Sequence, residues 1–545
     1  MNKALKVTNI VQGKLPSSIS IAWAIISIAN YDTQFKKSVI GNLIYPNKNE
    51  IPIHNPNGVY GVKVRFNGAQ RLIRIDDALP ITEEGDPILC SWKHEIASQI
   101  LEKALIKLYA SAYMNIETNP SIEMHHFIGW IPETVKFSDV NNKDNLWSRM
   151  KQNFKEGNII LSININSDGL SKKPKKHQLK DEDSPLLAVL DIREFKDHKL
   201  IKWVNPSGGF TSLNIFKPNE TNSFTGELIE PVKLLAGTTR KIESVFWLEW
   251  DDILLCYNQI NLWWNPDIYP FKKRIHSYWK NTYSPQEDYP NLSGKFLDEK
   301  YSVEYCPQFV FTIPPHKDDF EVRIFLQRHM KSFHGQKDSK YLSFKLFSYE
   351  GNRLIYPDDN LRSYHYSTRE LWSDVFIFEN STQDESYVLA ILKGDNLDNT
   401  DEVQFTLDVL SFIDIDVKEL PEPVIEESYE VKDWFSDSPH YRITVKEVIR
   451  WQIKAECTKN RIMLALLNEK IEETGKQEVP IKDRNPGWFM EGFSCLEVKL
   501  QPGQYSVLLW TEELPVKEQY RILFNLMEDP KLTYTEDLVI ENLTN

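Results

Sequence analysis

The apolar positions change rhythm along the chain. From Ser18 to Ala29 runs an apolar stretch without Gly or Pro, preceded by Ser17 and Ser18 as candidate N-caps, which predicts a buried helix. In KHEIASQILEKALIKLYASAY, Ile96, Ile100, Ala104, Leu105, Leu108 and Tyr109 recur at three- and four-residue steps, predicting a second helix with one buried face. Between them, VYGVKVRFNGAQRLIRIDDALPI alternates at Val62, Val64 and Phe66, turns at Asn67-Gly68 and resumes at Leu72, Ile73 and Ile75. That pattern predicts a hairpin.

From about residue 157 the rhythm becomes mainly that of strands, in NIILSININ, LLAVLDIREF, HKLIKWVNP and ESVFWLEW. The Lys-rich and then acidic stretch SDGLSKKPKKHQLKDEDSP between them reads as a solvated loop. Beyond about residue 290, QFVFTI, FEVRIFLQ, SYVLAIL and VQFTLDVL predict a β-sandwich. ELPEPVIEESYE reads as a linker, after which YRITVKEVIRWQIKAE, RIMLALLNE, SCLEVKLQPGQYSVLLWTE and QYRILFNLM predict a second sandwich. The fold class is α+β.

At 545 residues the chain has room for several cores. Its net charge is -14, and no basic face with interleaved aromatics marks it as a nucleic-acid binder. MNKALKVTNIVQGKLPSS has no signal-peptide core, and no stretch approaches the roughly 20 uncharged residues of a membrane span, so a cytoplasmic protein without a transmembrane segment is expected. The five cysteines, Cys90, Cys256, Cys306, Cys457 and Cys495, lack zinc-ligand spacing, and their odd number fits reduced, buried thiols. His125 and His126 are adjacent, read as a strand or turn in which the two side chains point apart, and have no suitably spaced third ligand. No metal and no cofactor are expected, and no Asp-x-Asp-x-Asp-Gly loop signals calcium.

Several segments resemble, in order, the calpain-like cysteine proteases. QGKLPSSISIAWAI is similar to the opening of the calpain core, where a Gln stands six residues before the nucleophilic Cys; Gln12 and Ser18 have that spacing. GVYGVKVRFNGAQRLIRIDDALPI resembles the strand pair ending in Asp-Asp-x-Leu-Pro, and ILEKALIKLYASAY the Leu-Glu-Lys-Ala-x-x-Lys-Leu helix. IEMHHFIGWIPE resembles a Gly-Trp-Ile-Pro-Glu segment of the PalB branch, and SVFWLEWDDILLCYNQINLWWNPDIYPF the end of the protease core. The resemblance implies a papain-like calpain core followed by two calpain-type β-sandwiches. The expected division is 1–135 and 136–285 for the two protease subdomains, then 290–420 and 428–545 for the sandwiches.

A papain-type mechanism needs a thiolate at a helix N-terminus, an imidazole to move the proton, an Asn or Asp to orient it, and an oxyanion donor. By resemblance Gln12 is the oxyanion donor and Asn205 the orienting Asn, although Ser207 replaces the Trp that normally follows Asn-Pro. Ser18 stands at the nucleophile position, where Cys is expected. The family's His opens a strand of the form His-Ala-Tyr-x-Val-Leu-Asp. Aligned on Ala188-Val189-Leu190-Asp191, the base position falls on Pro185, or on Ser184 after a shift of one residue. His177 would need a shifted loop to reach Ser18, and none of the five cysteines lies near the nucleophile position.

The expectation is therefore a catalytically degenerate pseudoprotease acting as a binding scaffold. The alternative is an active intracellular cysteine-type endopeptidase of the same pathway, and a purely structural sandwich protein leaves the protease-like order unexplained. By resemblance to the PalB branch, the partners would be a zinc-finger transcription factor of the alkaline-pH response and membrane-remodelling components that recruit the protein to endosomal membranes.

Overall fold

Eleven of the eighteen residues of helix α1 (Ser18–Phe35) are buried, so the helix is enclosed around most of its circumference. The computed structural model describes residues 7, 10–15, 18–92, 95–109, 120–163, 186–195, 198–207, 245–279, 303–330, 342–348, 353–354, 371–393, 402–422, 425–434, 439–472, 475–480, 490–512, 519–527 and 539–542. The loop reading of SDGLSKKPKKHQLKDEDSP, with His177, Ser184 and Pro185, lies outside them.

Around α1 pack the hairpin strands β1 (Val59–Phe66) and β2 (Ala69–Asp76) and the helices α2 (Ala97–Tyr109) and α3 (Pro120–Ile128). The hairpin turns at Asn67 and Gly68, both at positive φ (51° and 69°), the conformation the Asn-Gly pair favours. Ile96 lies just before α2 and is 41% exposed, so the buried face of that helix starts at Ala97. His125 and His126 sit on α3, and both are buried. The reading of a strand or turn with side chains pointing apart is corrected: α3 is covered from two sides, so residues about 100° apart on a helix both find protein.

The second lobe is a six-stranded antiparallel sheet. Its strands are β3 (Ile131–Lys136), β4 (Ile159–Ile163), β5 (Leu187–Phe195), β6 (His198–Val204), β7 (Val245–Glu249) and β8 (Gln259–Trp264), in the order β7-β6-β5-β4-β8-β3. Helix α4 (Lys143–Glu156) precedes β4. The Asn142 side chain caps it by accepting from the Asp144 and Asn145 amides, and Gly157 ends it in the left-handed conformation. One face of the sheet has its own core around Trp147, Trp203 and Trp250, while Leu186, Ala188, Leu190, Val204 and Trp263 join the core of α1. Trp23 and Trp263 meet there at 4.6 Å, so the two lobes share one apolar interior.

The first sandwich pairs two four-stranded sheets. One contains β9 (Phe271–Trp279), β11 (Phe320–Arg328), β13 (Leu371–Phe378) and β15 (Val403–Ser411), ordered β9-β15-β11-β13. The other contains β10 (Gln308–Ile313), β12 (Leu342–Ser348), β14 (Glu385–Lys393) and β16 (Asp416–Leu420), ordered β12-β14-β10-β16. β9 falls before the expected start at 290, yet it pairs along its whole length with β15. ELPEPVIEESYE is strand over most of its length: Leu420 ends β16, and Ile425–Trp434 pairs with Gln519–Met527. In the second sandwich the long strand Ile449–Glu472 pairs with Met490–Leu500 and Gln519–Met527 in its first part and with Gly503–Thr511 in its second. The bulge between Glu456 and Arg461 lets it change partners. The architecture is α+β: a two-lobed front followed by β-sandwiches.

Candidate active site between the lobes

Of the four expected site residues, Gln12 and Asn205 fall where the lobes meet, while the bonds of Ser18 stay within the first lobe. Gln12 follows the short strand Ile10–Val11, and its amide donates to Pro206 O across the lobes at 2.9 Å. Gly13 comes next because a Cβ there would lie 2.1 Å from Ile88 O. Among the described residues the Gln12 side chain makes one long bond, Nε2 to Leu15 O at 3.4 Å. Asn205 lies just past the end of β6 and is 4% exposed. Its Oδ1 accepts from the Ser207 amide at 3.0 Å and the Ser207 hydroxyl at 2.8 Å, forming a turn over Pro206.

Ser18 is the first residue of α1 and is wholly buried. Its amide bonds Leu15 O at 3.0 Å, and its hydroxyl donates to Glu102 Oε1 on α2. Glu102 Oε2 in turn accepts the Cys90 amide at 2.5 Å. Burial raises the pKa of Glu102, while the bonds from Ser18 and Cys90 pull it the other way. The Cys90 thiol faces Ser98 O at 3.5 Å; its burial, reinforced by the Glu102 charge, pushes its pKa well above the usual thiol value. A peptide carbonyl has no route to Ser18 Oγ unless its cover moves. No histidine among the described residues bonds that hydroxyl.

Sequence reasoning missed Glu102 and Cys90. The expectation that no cysteine lies near position 18 is corrected, since Cys90 shares a carboxylate with Ser18. The available signal was an acid, Glu102, in the stripe Ser98, Glu102, Leu105 and Tyr109 on the buried side of the helix. Pro185, at the expected base position, lies outside the described residues; strand β5 begins at Leu187 and pairs Ala188 with Val204, next to Asn205. His125 and His126 are away from this site. His125 Nδ1 lies 3.1 Å from Trp130 O, and burial lowers its pKa to about 4; His126 meets the Tyr109 hydroxyl and is lowered further by burial and by the neighbouring ring.

Among the described residues no group of three His, Cys, Asp or Glu side chains is placed to hold a metal, and no helix is long and apolar enough to cross a membrane. Residues 1–263 match the family model described as calpain family cysteine protease, and this front region belongs to the calpain family. Among curated relatives, human calpain-7 is 28% identical over 376 residues, which are 66% of this chain and 44% of that protein. The mouse calpain-7 matches to the same extent. A calpain-like protease palB of Emericella nidulans is 23% identical over 309 residues, 55% of this chain and 33% of that protein. The chain thus spans less than half the length of these relatives.

Proposed function

We propose that this chain is a catalytically silent calpain-like protein of the PalB type, which keeps the two-lobed scaffold to bind a partner or substrate segment. The observation that carries this reading is the buried Ser18, whose hydroxyl is committed to Glu102 without an imidazole beside it among the described residues. A serine hydroxyl needs an adjacent base to attack an acyl carbon. Pro185 at the base position supplies none. In this proposal Gln12 and Asn205 are remnants of the oxyanion and orienting positions.

The division at 1–135, 136–285, 290–420 and 428–545 belongs to the same proposal, with the second subdomain extended forward to take in β3 and the first sandwich to take in β9. A place in an alkaline-pH response is what the resemblance to the PalB branch implies, and the likeness to calpain-like proteases named palB supports that reading. A zinc-finger transcription factor as the bound protein, membrane-remodelling partners, and a cytoplasmic location with recruitment to endosomal membranes are the finer parts of the reading.

The test is cleavage and binding of labelled acidic-to-neutral peptides and of the pathway's zinc-finger factor by the purified chain, beside a Ser18→Cys, Pro185→His double variant. Binding without cleavage by the native chain, with cleavage by the double variant, supports the proposal. Cleavage by the native chain that Ser18→Ala abolishes overturns it in favour of an active endopeptidase.

A further inference from the structure

Strand β11 of the first sandwich touches both lobes through two buried polar side chains. Arg323 is fully buried; its Nε donates to the Tyr269 hydroxyl at 2.9 Å and one Nη to Glu133 of β3 at 3.1 Å. Its guanidinium lies 4.7 Å from the centre of the Trp264 ring. Glu133 also accepts both Nη groups of Arg149 on α4, at 2.9 and 3.1 Å, and the Trp264 indole at 2.5 Å. One carboxylate thus ties α4, β3 and β8 of the second lobe to the sandwich.

Gln327, 3% exposed, serves the other lobe. Its Oε1 lies 3.3 Å from His125 Nε2 on α3, and its Nε2 donates to Asp408 of β15 at 2.8 Å. Asp408 grips Arg274 of β9 through two bonds of 2.5 and 2.9 Å, and Arg274 donates to Gly68 O in the β1–β2 turn at 2.9 Å. Asn67 of the same turn exchanges two bonds with the Met330 backbone, at 2.8 and 3.0 Å.

We infer that Arg323 and Gln327 are positioning residues for the site between the lobes. Four residues apart, and so about 13 Å along one strand, they hold the two lobes at one mutual orientation. They thereby set the approach of Gln12 to Pro206. The core the lobes share is apolar and non-directional, and beside it stand neutral bonds from Asn30 and Gln34 of α1 to Leu190 O of β5, at 3.1 and 2.8 Å, and from the Gln12 amide to Pro206 O. The bonds of Arg323 and Gln327 have direction, and those of Arg323 are charge-assisted. The inference rests on the reading that the surface between the lobes is the working part of the chain, but its readout is independent of binding.

The test is amide hydrogen exchange of the full chain, read at the segment containing Gln12, whose amide bonds across the lobes. In Arg323→Met and in Gln327→Leu, exchange at Gln12 is expected to rise about tenfold or more while the central sheet amides of Leu161 and Leu262 keep their protection. Asn67→Gly removes the two bonds between the front-lobe turn and the Met330 backbone without straining the turn, and it carries the test if a core variant does not fold. Unchanged exchange at Gln12 in the folded variants overturns the inference. So does an equal rise at Leu161 and Leu262, which would mean general loosening. A chain that binds no peptide yet shows the Gln12 response refutes the proposed function and leaves the positioning role supported.

Discussion

Replacing Glu133 by Gln removes the one carboxylate between Arg149 and Arg323, and the cost depends on pH in a way the structure specifies. Burial alone would raise the Glu133 pKa, but the two guanidinium groups outweigh it and hold the group at about 2 against an ordinary 4.5. At 1.36 kcal/mol per pH unit, this carboxylate contributes about 3 kcal/mol of stability at pH 7. Because the folded value is the lower one, the contribution is complete above pH 4.5 and is lost as pH falls toward 2. About 1 kcal/mol remains at pH 3. In Glu133→Gln, Arg323 stays buried without its nearer carboxylate, with Glu321 left at 3.8 Å, a defect of about 3 kcal/mol at neutral pH. Urea unfolding followed by tryptophan fluorescence, on both proteins from pH 7 to pH 3, measures the gap. It should narrow by about 2 kcal/mol on acidification. His125, held at about 4 by burial, also loses stability as pH falls from 6.5, but it does so in both proteins and cancels from the difference. A gap that stays constant with pH refutes the ion-pair account of this junction.

Two further outcomes are expected. Gly68→Ala places a Cβ 2.1 Å from Thr406 Oγ1 at a φ of +69°, so it should cost about 2–3 kcal/mol; Gly85→Ala, at +90° in open space, should cost about 1 kcal/mol, and the two melting temperatures compared check the order. Ser18→Ala leaves Glu102 without one of its buried donors and should lower stability by about 1–3 kcal/mol in thermal unfolding; an unchanged melting temperature would show that the Ser18–Glu102 bond contributes nothing.

Local pattern carried much of the fold. The enclosed α1, the one-faced α2 and the Asn67-Gly68 turn are each determined within a dozen or so residues, by apolar spacing and by the φ that Asn-Gly tolerates. Several strands of both sandwiches, among them Gln308–Ile313 and His440–Val445, were legible for the same reason, since alternation with a period of two is written in them, whereas Phe271–Trp279, Leu342–Ser348 and Leu371–Phe378 were not read as strands. The family resemblance of the front region was also in the sequence, because it rests on ordered motifs from Gln12 onward that lie mostly within residues 1–263 of this chain, the part the family model matches. The segment ELPEPVIEESYE does carry the chain from the first sandwich to the second, but most of it is strand, because the pairing of Ile425–Trp434 depends on a strand some ninety residues later.

Tertiary structure alone decided which charges are buried and what they meet. Nothing near Ser18 in the chain announces Glu102, 84 residues away, and nothing near Gln327 announces His125, 202 residues earlier. A buried polar group is tolerated only where folding brings its partner within hydrogen-bond distance. Its role is therefore a property of the pair, and the pair exists only once the elements that carry its members have packed together, within the front lobe for Ser18 and Glu102 and between lobe and sandwich for His125 and Gln327.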